Sequence, residues 1–159
     1  MSLELELQIA LDHPALPSED SVRRWVQAAL LAAECSQPVG LVVRIVDQAE
    51  SEALNSEYRH KQYPTNVLSF PFELPPGIEW DGPRPLGDIV VCAPVVVAEA
   101  VTQNKPLEAH WAHMVVHGTL HLLGYDHQQE PEAEVMEAME TGVLVGLGFA
   151  DPYALVDAV

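Results

Sequence analysis

The stretch His117-Gly118-Thr119-Leu120-His121-Leu122-Leu123-Gly124-Tyr125-Asp126-His127 decides how the rest of the chain is read. His117 and His121 are four apart, so a helix places their imidazoles one turn above each other on the same face. Gly124 ends that helix, because glycine accepts the left-handed backbone of a C-cap. The chain then turns back and brings His127 to the same point. Three imidazoles converging from a helix and the turn after it suit one zinc ion per chain. They leave its fourth position open for water, which separates a catalytic site from a structural one.

The spacing resembles the metzincin protease pattern H-E-x-x-H-x-x-G-x-x-H. Gly118 stands where the glutamate that activates water would be. The ligand frame is therefore present and the peptidase base is not. Taken singly, each histidine reads as a packed or solvated residue. His113, His117 and His121 are also spaced by fours, but eight residues of helix rise about 12 Å. That is too far for one ion with ligand bonds of about 2.1 Å. The pair His117 and His121 is chosen because the glycine and the third histidine follow it. His113 is expected beside the site or in the core, and His110 at the surface.

The 159 residues fit one domain, with residues 148–159 as a loose C-terminal tail. A hydrophobic fraction of 48% and a charged fraction of 19% exclude a disordered chain. No apolar run reaches the ~18 residues of a membrane span. The start, Met1-Ser2-Leu3-Glu4-Leu5-Glu6-Leu7-Gln8-Ile9, is acidic and alternating, unlike a signal peptide. A cytoplasmic location and no membrane partner are expected. Cys35 and Cys92 form no C-x-x-C and read as reduced core thiols. The net charge of −17 excludes a broadly basic nucleic-acid-coating surface. A polyanion would have to be met by a local positive site, so the positions of the seven Lys and Arg residues are informative.

Leu3, Leu5, Leu7 and Ile9 alternate with polar residues and predict a first strand. Ser18 to Glu34 predicts a helix, with Val22, Trp25, Val26, Ala29, Leu30 and Ala33 at helical spacing and Ser18 as N-cap. Val39 to Val46, apolar but for Arg44, predicts an interior strand. Asp47 and Glu50 form a capping box for a helix through about Tyr58. Val67 to Phe72 is strand-like. Pro71, Pro75, Pro76, Gly77, Gly82, Pro83 and Pro85 mark a loop and exclude helix or central strand. Gly87 to Cys92 predicts a strand, and Pro94 a helix reaching about Gln103. Pro106 opens the histidine helix. Glu132 to Leu147 predicts a last helix, with Val135, Met136, Met139, Val143 and Leu147 toward the core. The expected class is α+β: a mixed sheet of about four strands covered by helices.

A second informative stretch runs from Asn55 to Pro71. It holds Arg59 and Lys61 together with Tyr58 and Tyr63. Arginine and lysine bind phosphate, and aromatic faces stack on unpaired bases. Read locally, however, a basic pair at a helix end more often answers the helix dipole or faces water.

The histidine motif, with Tyr58-Arg59, Pro64-Thr65-Asn66-Val67-Leu68-Ser69-Phe70-Pro71 and Leu86-Gly87-Asp88-Ile89 in this order, resembles the YbeY family of bacterial endoribonucleases, the rRNA maturation factors. The resemblance runs from about Asn55 to Met139. Asn66 departs from it, because many relatives carry aspartate there, so position 66 is not read as a base. The resemblance implies an α+β fold with a zincin-like metal-binding helix. It implies a zinc-dependent, single-strand-preferring endoribonuclease acting in 16S rRNA 3′-end maturation and ribosome quality control. It implies His117, His121 and His127 as metal ligands and Arg59 as the functionally important arginine. Arg59 is then the catalytic candidate, and Arg59 with Lys61 the RNA-binding pair. Single-stranded rRNA is the expected partner, with the small ribosomal subunit or an assembly protein. The sequence assigns no general base. Asp126 is placed to orient a histidine, and Asp88 is a candidate by motif with a structural hydrogen bond as its plainer role. Water and the RNA 2′-hydroxyl both stay open as nucleophile. The rival readings are a peptidase-like zinc hydrolase and a non-catalytic, zinc-stabilised ribosome assembly factor.

Overall fold

A computed structural model describes residues 3–79, 81–126 and 129–153. Four strands form one sheet in the order β1-β2-β4-β3: β1 (Leu3–Ile9), β2 (Val39–Val46), β3 (Val67–Pro71) and β4 (Arg84–Cys92). β1 and β4 run parallel to β2, and β3 pairs antiparallel with β4 at the free edge. The helices are α1 (Glu19–Ala32), α2 (Gln48–Arg59), α3 (Ala93–Thr102), α4 (Leu107–Leu122) and α5 (Glu130–Gly146). The expected mixed, helix-covered sheet is what the chain forms.

Strand alternation sorts the core into two faces. Leu41, Val43 and Ile45 of β2 and Ile89 and Val91 of β4 join α1, α4 and α5 around Trp25, Trp111 and Leu120. Val46, Leu68, Val90 and Cys92 point the other way and pack with Leu54 of α2 and Val95 of α3. β2 is apolar along its length because it is central and covered on both faces. Ser18 accepts from the Ser21 N–H to cap α1, and Asp47 accepts from the Glu50 N–H to cap α2. Cys35 and Cys92 are both free thiols, as expected.

Three expectations are corrected. Val135, expected toward the core, is 55% exposed, because the buried stripe of α5 runs through Met136, Glu140, Val143 and Leu144. Pro85, with the other prolines, predicts a loop, yet β4 begins at Arg84 and pairs Pro85 with Gly40 of β2. β3 has already ended there, because Pro71 lies opposite Gly87, so on that side no ladder partner asks Pro85 for an N–H. A register shift between Gly40 and Leu41 adjusts the β2 side. His110 was expected at the surface and is 2% exposed. Its Nε2 lies 3.0 Å from Glu99 Oε1 on α3, a polar contact that accommodates an imidazole inside the helix layer. Asn66 donates to the same carboxylate at 3.1 Å, which gives it a structural role.

Of the segment expected to be a loose tail, the part through Tyr153 is held. Lys105 Nζ donates to Pro152 O at 2.9 Å, and the Tyr153 N–H donates to Asp151 Oδ1 at 2.8 Å. Residues 154–159 lie outside the described residues.

Candidate active site

α4 is buried over most of its circumference, from His110 to Leu122. On it, His117 and His121 face the same way, with ring centroids 4.7 Å apart. The helix stops where the glycine predicts. Gly124 has φ +102°, its N–H donates to His121 O at 3.0 Å, and the Tyr125 N–H donates to Leu120 O at 3.1 Å. Asp126 follows, half-buried. His127, the third expected ligand, lies outside the described residues. Among the described residues no group of three His, Cys, Asp or Glu side chains could hold a metal ion. Two adjacent imidazoles at the end of a helix are nevertheless the part of a three-histidine centre that these residues can supply, and nitrogen donors suit zinc.

Gly118 packs toward the sheet. A Cβ there would lie 2.6 Å from Ile89 Cγ2, and Ser69 Oγ donates to Gly118 O at 3.3 Å. A glutamate at this position would meet β4 before it could reach a water molecule beside the histidines.

Sequence reasoning missed Glu140. This carboxylate is 0% exposed, and its Oε1 lies 2.5 Å from His117 Nδ1 and 3.5 Å from His113 Nε2. The Tyr153 hydroxyl donates to Oε2. Burial by itself would raise the carboxyl pKa, but hydrogen bonds from His113, His117 and Tyr153 hold it at about 2. Burial and the Glu140 charge push the Tyr153 phenol up, which keeps it a donor. Glu140 faces Nδ1 of His117, so Nε2 is the ring nitrogen on the side away from the carboxylate. His113 Nε2 sits 3.2 Å from the Tyr153 oxygen, beside the site as expected. The signal for Glu140 was available in the sequence. It occupies a core position of α5 among Met136, Val143 and Leu144, where an unpartnered charge would be costly.

Arg59 and Lys61 stand at the exposed end of α2, where His60 adopts a left-handed conformation at φ 59°. Lys61 Nζ is 6.0 Å from the Tyr63 ring centre. The Tyr58 ring meets Phe70 edge-on at 5.0 Å. Phe70 and Ser69 are neighbours on β3, so α2 and α4 grip opposite faces of the same edge strand. Arg59 is one residue from the Tyr58 contact, and His117 is one residue from the Gly118 contact. Three of the other five basic side chains are engaged within the protein: Arg23 with Leu3 O at 3.0 Å, Arg44 with Glu50 at 2.5 Å, and Lys105 with Pro152 O. Asp88 is exposed, and strand parity puts it with Val90 and Cys92, on the face away from α4.

The family model described as Endoribonuclease YbeY matches residues 9–148. The chain belongs to the YbeY endoribonuclease family. An Endoribonuclease YbeY from Alkalilimnicola ehrlichii is 58% identical over 156 residues, covering 97% of this chain and 93% of that protein. The YbeY match therefore includes the end of α2, the histidine helix and Glu140, and it makes the chain a nuclease of the hydrolase class. A solution structure of a Thermotoga maritima protein aligns with a TM-score of 0.56 at 22% identity, over 95% of this chain and 99% of that one. It supports the fold.

Proposed function

We propose that the protein is a zinc-dependent endoribonuclease that prefers single-stranded RNA and acts in 16S rRNA 3′-end maturation and ribosome quality control. The observation that carries this reading is the His117 and His121 pair at the C-terminal end of α4, with ring centroids 4.7 Å apart. His127 would complete the ligand set. A zinc ion bound there would supply Lewis-acid polarisation of a phosphoryl oxygen and a lowered pKa for attacking water.

The chain's own residues would do the rest. Arg59 would neutralise charge developing on the phosphorane, with its planar fork spanning two oxygens. Lys61 would hold a neighbouring phosphate. Tyr58 and Tyr63 are 58% and 53% exposed, and offer ring faces to unpaired bases. Gly118 speaks against the peptidase alternative, because the water-activating glutamate has no room there. In the cell the substrate would be unpaired rRNA in the small subunit, presented by the particle or an assembly protein. A cytoplasmic location fits that role, and no helix among the described residues is long and apolar enough to cross a membrane.

The test is elemental analysis and RNA cleavage by protein purified without added metal. About one zinc per chain and cutting of unstructured RNA are expected, with both lost in a His121→Ala/His127→Ala double variant. Full metal retention in that variant would remove the basis of the reading.

A further inference from the structure

We propose that Glu140 is the positioning residue of this centre. It fixes the His117 imidazole through Nδ1, so that Nε2 is the ligating nitrogen, and Tyr153 holds Glu140 in that orientation. The inference rests on the metal centre proposed above.

Glu140 lies wholly inside the protein, in the stripe of α5 that otherwise carries Met136, Val143 and Leu144. A buried ion pair is seldom more stabilising than apolar residues of the same volume, so stability alone is a weak reason for a carboxylate here. Its partners explain it better. One oxygen accepts from His117 Nδ1 at 2.5 Å, and the other accepts from the Tyr153 hydroxyl. With Nδ1 occupied, the ring cannot rotate to present that nitrogen to an ion. The contact leaves only Nε2 for ligation.

Tyr153 is itself anchored. The preceding turn is tied to Lys105 through Pro152 O, and the Tyr153 N–H is tied to Asp151. His113 Nε2 stands 3.2 Å from the phenol oxygen, which donates to Glu140. The order is therefore from the C-terminal turn to Tyr153, to Glu140, to His117, a chain of contacts spanning α4, α5 and the turn after it.

The experiment uses zinc-loaded protein labelled with nitrogen-15 histidine, and measures zinc affinity by competition with a chelator. Circular dichroism reports the fold. In the wild type, His117 should show a protonated Nδ1 and a metal-bound Nε2. Glu140→Gln keeps the shape and removes the charge; it should weaken zinc binding roughly 10–100-fold with the fold retained. Tyr153→Phe should weaken it by a smaller factor. His121→Ala should lose zinc. A metal-bound Nδ1 on His117 overturns the positioning role. So does wild-type zinc affinity in Glu140→Gln when His121→Ala has lost its zinc, and that result leaves the metal centre standing. Wild-type zinc binding by His121→Ala overturns the centre and the positioning role together. Should Glu140→Gln not fold, the wild-type nitrogen spectrum still decides.

Discussion

Gly118 and Ile89 approach so closely that a Cβ on residue 118 would lie 2.6 Å from Ile89 Cγ2. The helix bearing the histidines rests directly on β4, and the missing side chain allows that contact. The glycine that distinguishes this motif from a peptidase's therefore has a packing cause as well as a chemical consequence. Gly118→Ala is expected to cost about 1–3 kcal/mol, the usual range for overpacking a filled core. Because Ile89→Ala removes the opposing atoms, the double variant should be more stable than the two single losses predict. Equilibrium denaturation of all four proteins measures the coupling. Strict additivity would mean that the Ile89 contact does not decide residue 118.

Substitution of Arg59 should separate the proposed phosphate recognition from metal binding. Arg59→Glu should keep its fold and its zinc, because Arg59 is exposed on α2 and is not a ligand in the proposed set. Its RNA cleavage should fall on the order of 10²-fold, the scale of losing one charge-stabilising donor. Arg59→Lys should be intermediate, since lysine keeps the charge without the planar fork. Wild-type cleavage by Arg59→Glu would reduce Arg59 to a surface residue that answers the dipole of α2.

His110 makes folding sensitive to mild acid. Burial pushes its pKa below the ordinary 6.5, although the nearby Glu99 pulls it back up in part. The unfolded chain therefore takes up the proton first as pH falls. The stability associated with neutral His110 is fully present above the unfolded value. It declines as pH drops below about 6.5, until the folded pKa is passed. Denaturant midpoints from pH 8 to pH 5 should show this decline, and His110→Gln should flatten it. An unchanged slope in that variant would assign the acid sensitivity to other groups.

The acidic surface limits how RNA can be held. With a net charge of −17, attraction has to come from a confined positive site, which the proposed function puts at Arg59, Lys61 and a bound metal. Bare RNA should bind weakly, and affinity should fall steeply with added salt. Unpaired RNA should be cut in preference to duplex, because its backbone can bend into a cleft and its bases can stack on side chains. Cleavage of naked rRNA should be compared with cleavage of rRNA in ribosomal particles, using metal-site variants to exclude contaminating nuclease. Efficient cutting of naked duplex, equal to that of unpaired RNA, contradicts this account.

Short-range patterns made much of this protein legible in its sequence. The four-residue spacing of His117 and His121, the stop at Gly124, the caps at Ser18 and Asp47 and the apolar run of β2 are properties of a few neighbouring residues. Local backbone geometry enforces them whatever the rest of the chain does. Tertiary structure alone decided where distant segments meet. Pro85 enters a strand because β3 ends at Pro71, and His110 is buried because Glu99 of α3 faces it. Glu140 becomes the partner of His117 because α5 packs on α4, across 23 residues of sequence. A buried carboxylate is tolerable only where donors converge on it, and here they come from α4 and from the turn after α5.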